Sequence, residues 1–208
     1  MKHKNMVHGN AAKMYIYDFK ITEGIIKANH IRNLVKKTGS FLPALDSTDI
    51  FTNNTVTKEN VIFTYGNASN TSLVENSLKE FYKVFDKDSS TYADVRHAGS
   101  STEDGWFIIN FGELIAPTKI TYIVANKKSN TAKDEPYSIL GSVDGTFWDT
   151  LWSVTQSIGY NPYTFDISCN DSLTEYQYIK IIWDNEKSGY QDMPVIYDFQ
   201  ITEWYKEE

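Results

Sequence analysis

The 208 residues are 41% hydrophobic and 14% aromatic, with a net charge of −7 and a pI near 5.1. This suffices for one sizeable core plus an appendage, while the acidic balance, with no basic cluster longer than Lys36-Lys37 or Lys127-Lys128, argues against nucleic acid as a partner. The single cysteine, Cys169, excludes an intramolecular disulfide and a thiolate metal cluster within one chain. No apolar run approaches the roughly 18 residues of a membrane span, and the start lacks the apolar core of a signal peptide, so neither membrane insertion nor an export signal is expected.

Residues 1–12 are polar and irregular. Next comes Ile16-Tyr17-Asp18-Phe19-Lys20-Ile21-Thr22-Glu23, which recurs as Ile196-Tyr197-Asp198-Phe199-Gln200-Ile201-Thr202-Glu203 with seven of eight positions identical. Both copies alternate on a period of two and read as strands, the first spanning 15–23. The first copy either pairs within this domain, belongs to an N-terminal subdomain, or completes a sheet in a neighbouring subunit, since a strand offered outside its own sheet is a means of assembly. Residues 25–37 fit a short helix, with Ile31, Leu34 and Val35 on one face and a stop at Gly39, or a β arm. From Gly39 to Asn60 the chain is rich in Ser, Thr, Asn and Asp and reads as a connector. The expected organisation is an N-terminal arm over 1–59 and a β domain over 60–208.

Strand signals then recur at Val61–Tyr65, Tyr82–Phe85, Trp106–Phe111, Thr118–Ala125, Tyr137–Ser142, Phe147–Val154, Tyr163–Asp166, Tyr176–Trp183 and Val195–Glu203. β-branched and aromatic enrichment, with turn clusters every 10 to 15 residues, indicates an all-β antiparallel sandwich rather than a parallel α/β sheet. Between two of these strands, Asp144-Gly145 supplies the reversal, and Trp148 can fold its ring back over the strand just left.

Four stretches carry a resemblance. They are Tyr137 to Trp148, with Ser142, Asp144-Gly145 and Trp148; Asp86-Lys87-Asp88-Ser89-Ser90-Thr91; Gly105-Trp106 through Phe111-Gly112; and the closing strand Val195–Thr202. In this order they resemble the discoidin, coagulation-factor C-type or family 32 carbohydrate-binding modules, which are galactose-binding-like β-sandwiches of jelly-roll type. The chain departs from that pattern at Lys87, where the family usually has Gly, at Ala93, where it usually has Trp, and at Asn110, where it usually has Asp.

The resemblance implies a structural Ca²⁺ held by Asp86, Asp88, Thr91 and Asp198, a hard-oxygen donor set suited to that ion; the alternative is that these acids cap turns through Asx bonds. It also implies sugar recognition by loops at one end of the sandwich, 92–104, 126–136 and 184–194, with Arg96, His97, Asn126, Asp134 and Tyr190 as ligand-binding candidates. Arg96 is one of two arginines and stands beside an imidazole able to bond hydroxyls. Trp106, Trp148 and Trp183 read as core packing. No Gly-x-Ser-x-Gly, His-Glu-x-x-His or phosphate loop is present, and the four histidines are scattered, so no enzyme is expected.

The resulting expectation is a non-catalytic carbohydrate-binding adhesin, extracellular or on a virion surface as a phage tail, fibre or capsid accessory protein. Its partners would be a surface glycan and, through the arm, other subunits of an oligomeric assembly. The alternatives are a purely structural docking protein, or an accessory module cropped from a secreted glycoside hydrolase.

Overall fold

The computed structural model describes residues 34–49, 51, 54–67, 80–94, 105–126, 133–183 and 194–208. The chain divides into two compact units, 1–35 with 206–208, and 36–205. The second unit is an antiparallel β-sandwich whose two sheets share one long strand, β5 (Gly105–Asn126).

The first half of β5 pairs with β3 (Val61–Asn67) and β9 (Tyr176–Trp183), giving a sheet ordered β2-β3-β5-β9-β6-β7 with β2 (Thr55–Lys58), β6 (Lys133–Ser142) and β7 (Asp149–Ile158). The second half pairs with β8 (Tyr163–Ser168) on one side and β10 (Pro194–Glu207) on the other. Beyond β10 lie β1 (Leu34–Thr38) and the two-residue β4 (Ala93–Asp94). The crossing between sheets passes through Gly112 at φ +70°, where an added Cβ would stand 2.9 Å from the Asn60 carbonyl oxygen. Only a residue without a side chain makes that corner at no cost.

Alternation along β5 builds the core. Phe107, Ile109 and Phe111 point inward from its first half, and Ile120, Tyr122 and Val124 from its second. They meet Ile139, Ile179, Ile181 and Trp183 of one sheet and Ile196, Phe199 and Ile201 of the other. Phe81, Phe85 and Phe199 each meet Phe107 edge-on at 5.5 Å between centroids, a geometry worth about 0.5–1.5 kcal/mol per pair beyond area burial.

Three expectations are revised. The strand read over 82–85 is a 3-10 helix, Phe81–Val84, because Phe81, Val84 and Phe85 fall at helical spacing and all three enter the core. The connector read over 39–60 contributes Leu42, Leu45 and the β2 residue Val56 to that core, and the Phe41 N–H donates to the Ile201 carbonyl. Its apolar residues are few, but the sandwich uses them. The two strands read at 106–111 and 118–125 are one strand, since the Gly112 corner changes sheet without ending the ladder. The repeated strand at 15–23 and the arm up to residue 33 lie outside the described residues.

The β6–β7 hairpin matches its sequence signature. Asp144 Oδ1 accepts the N–H groups of Thr146 at 2.8 Å and Phe147 at 3.1 Å and the Ser142 hydroxyl at 3.2 Å, while Ser142 Oγ accepts the Gly145 N–H at 2.9 Å. Gly145 takes the left-handed φ of +77° that the reversal needs.

Candidate functional site

Register fixes where the connections leave the sandwich. Gly105 pairs with both Asn67 and Trp183, Trp183 with Tyr137, Asn126 with Pro194, and Asp94 with Val195. The halves of β5 run in opposite directions: Phe107 packs on Phe199, which pairs with Tyr122, whereas Phe111 reaches Trp204, the partner of Pro117, through Phe41. The strand ends flanking 95–104, 127–132 and 184–193 therefore gather at one pole. Asn126 lies there fully buried, its N–H donating to the Gly159 carbonyl at 2.9 Å, so its backbone ties the end of β5 to the end of β7. Asp134 belongs to β6, paired with Ser157. Arg96, His97 and Tyr190 lie outside the described residues.

The four oxygen donors of the Asp86–Thr91 loop and β10 are all described. Asp86 Oδ1 accepts the Asp88 N–H at 2.8 Å, and Asp88 Oδ1 accepts the Ser90 N–H at 2.9 Å and the Ser90 hydroxyl at 2.6 Å, so both acids cap turns. Thr91 Oγ1 donates to Asp86 Oδ2 at 2.7 Å. Asp198 comes to this loop through a bulge: Ile196 pairs with Val124 and Asp198 with Ile123, so Tyr197 is the extra residue. Asp198 shares the outer face with its partner Ile123, opposite to the inward Phe199, yet it is only 3% exposed; Oδ2 accepts the Gln200 side-chain amide and Oδ1 has no hydrogen-bond partner among the described residues. Burial pushes its pKa up, reinforced by the negative charge of Asp86 and opposed by the Gln200 and Phe199 hydrogen bonds and by Lys87. Lys87 itself is exposed and held at φ +65°, the left-handed conformation that glycine adopts without strain. A buried carboxylate under the influence of a second negative charge is the electrostatic setting a hard cation relieves, although among the described residues no three acidic side chains converge closely enough to hold an ion as they stand.

No family model and no curated protein matches the chain. Solved structures similar to it include the C-terminal domain of a chitobiase from Bacteroides fragilis, at 14% identity and a TM-score of 0.46, covering 76% of this chain and 99% of that one. A family 32 carbohydrate-binding module from Clostridium perfringens, in complex with galactose, matches at 14% identity and a TM-score of 0.44 over 69% of this chain and 93% of its own. Another family 32 module from the same organism, in complex with GalNAc-β-1,3-galactose, matches at 10% identity and 0.43 over 82% and 96%. At these values no residue or ligand transfers to this chain.

The tryptophans divide in a way their sequence reading missed. Trp183 is core, 1% exposed. Trp106 is half-buried on the outer face of its sheet, because its neighbours Gly105 and Phe107 take the inward positions, and its ring lies across Gly66, whose added Cβ would come within 2.5 Å of it. Trp148 is also half-buried, and Lys180 Nζ stands 5.2 Å from the Trp106 ring and 5.7 Å from the Trp148 ring. The even positions of β9, read against the inward Ile179 and Ile181, could have revealed this outward set. Cys169 is buried and its thiol pushed up to about 11, so it is a poor nucleophile at neutral pH.

Proposed function

We propose that the chain is a non-catalytic carbohydrate-binding module working outside the cell. The observation that supports this reading is the gathering at one pole of the strand ends that flank 95–104, 127–132 and 184–193, the first and last of which carry Arg96, His97 and Tyr190, while Asn126 and Asp134 lie in the adjoining strands. Connections so rooted are where sandwiches carry recognition. Guanidinium and imidazole donors, a carboxylate acceptor and one aromatic ring form a chemically sufficient set for a pyranose, with hydroxyls bonded at the edge and a CH face stacked on the ring; the Asn126 amide, being buried, is left out of it. A glycan array probed with the intact chain and with Arg96→Ala and Tyr190→Ala tests it. Binding that both variants abolish supports the reading; an array without any binding, or binding indifferent to both variants, removes it.

The same reading includes a structural Ca²⁺ with Asp86, Asp88, Thr91 and Asp198 as its donors. The unpartnered Asp198 Oδ1 is what supports it; Asp88 would exchange its Ser90 bonds to take part. The ion would supply positive charge that ties the loop to β10, and no activated water is invoked. The finer placement in a virion, with the repeated octapeptide as an assembly strand, rests on that repeat alone. An accessory module of a secreted glycoside hydrolase is the alternative context, and sedimentation of the intact chain distinguishes an assembling subunit from a monomeric module.

A further inference from the structure

A second concave site lies at the opposite pole, where β5 crosses between the sheets. It is a cleft of about 540 Å³, within the roughly 300–1,000 Å³ range of small-ligand sites. One wall is apolar: Phe41, Pro43 and Phe111, with the half-buried Phe41 ring braced edge-on against Phe111 at 5.3 Å and Trp204 at 5.2 Å. The other wall is polar: Glu59, Asn60 and Lys87.

The polar wall is built from unusual backbone. Glu59, Asn60, Lys87 and Gly112 line the cleft at φ +49°, +70°, +65° and +70°. The Glu59-Asn60 pair is required by the tight β2–β3 reversal, which needs two positive φ values. Lys87 takes its left-handed φ inside the turn closed by the Asp88 N–H on Asp86 Oδ1, a conformation that costs a lysine folding energy. Its side chain is exposed, and its charge also acts on Asp198.

The chemistry of the two walls narrows the occupant. The lining holds one lysine against two glutamates, Lys87 with Glu59 and Glu113, so an anion gains little, and the ionised rim disfavours a wholly apolar ligand. A neutral polyhydroxylated ring fits both walls. Its CH face lies on Phe41 and Pro43, while hydroxyls accept from Lys87 and Asn60 and donate to Glu59.

The geometry points to a neutral-pyranose site in this cleft, distinct from the loop pole and independent of it. Should both sites bind, one chain holds two glycans at opposite ends and cross-links them.

The test uses the intact chain carrying Arg96→Ala and Tyr190→Ala, so that the loop pole is silenced, titrated with galactose, glucose and N-acetylglucosamine and followed by NMR. Phe41→Leu removes the ring face but keeps an apolar contact, and Asn60→Gly and Lys87→Gly remove side chains at left-handed positions where glycine is at home, so all three variants should still melt cooperatively, Lys87→Gly no lower than the parent. Binding of at least one sugar is expected, weakened about tenfold by Phe41→Leu and by Lys87→Gly. Absence of binding by all three sugars at tens of millimolar overturns the cleft, as does binding that these variants leave unchanged. A failed glycan array with persistent cleft-dependent binding would sink the loop pole and spare the cleft.

Discussion

Asp198 is the residue on which folding and ligation meet. Its carboxylate is buried with one oxygen unpartnered, a condition costing about 1–3 kcal/mol. Its folded pKa is raised above the ordinary 3.8, so the folded state takes up its proton more readily than the unfolded chain. The group's contribution therefore worsens as pH rises from below 3.8 through the folded value, and the whole cost is present at neutral pH. Asp198→Asn is expected to raise the melting temperature in EDTA at pH 7 while abolishing any further gain on adding Ca²⁺; a variant that melts lower in EDTA and still responds to Ca²⁺ would contradict both halves. Asp144 has the opposite sign. The Thr146 and Phe147 N–H groups hold its carboxyl down to about 2, so its stabilisation of the hairpin is complete above 3.8 and fades as pH falls toward 2. A carboxyl NMR titration should show that midpoint, and Ser142→Ala should move it upward. Lys87→Gly relieves a left-handed side chain and should stabilise the fold by about 1 kcal/mol in chemical denaturation.

At the scale of elements, glycines that lie under aromatic rings make a paired prediction. An added Cβ at Gly105 would stand 2.3 Å from the Trp183 ring, and one at Gly66 would stand 2.5 Å from the Trp106 ring. Both contacts are far shorter than van der Waals distance, but Trp183 is locked in the core and Trp106 lies half-buried on the outer face, where it can swing away. Gly105→Ala should cost about 3 kcal/mol and Gly66→Ala under about 1, read from urea midpoints. This contrast also marks how far the sequence reaches. Period-two alternation located β3, β5, β6, β8, β9 and β10 because backbone pairing and a buried face repeat along the chain. It could not register the Tyr197 bulge, which puts Ile196 and Phe199 in the same core although they are three residues apart. It also misjudged Trp106, since a large ring reads as core wherever it stands. The Asp144 hairpin was legible because its bonds are local. The cleft was not, because Phe41, Asn60, Lys87 and Phe111 come together only when β2, the Phe81–Val84 helix and the β5 corner meet.

For the molecule as a whole, the question is where the sandwich begins. The compact unit starts at Lys36, and the stretch that looked like a connector supplies Leu42 and Leu45 at 3% and 2% exposure and the β2 pairing on β3. Loss of a buried leucine costs about 2–5 kcal/mol, and two of them approach the whole stability of a domain this size. A chain lacking residues 1–33 should therefore unfold cooperatively near the intact protein's midpoint, whereas one lacking 1–55 should show no cooperative transition by circular dichroism. The first truncation also isolates the repeated octapeptide. β10 carries the copy at 196–203 in the middle of its sheet, paired with β5 and flanked by β1 and β4; the copy at 16–23 lies outside the described residues. If sedimentation finds the intact chain associated and the chain lacking 1–33 monomeric and folded, that copy is an assembly strand. If both sediment as monomers, the repeat plays no part in association, and cross-linking of glycans would have to come from the two poles of a single sandwich.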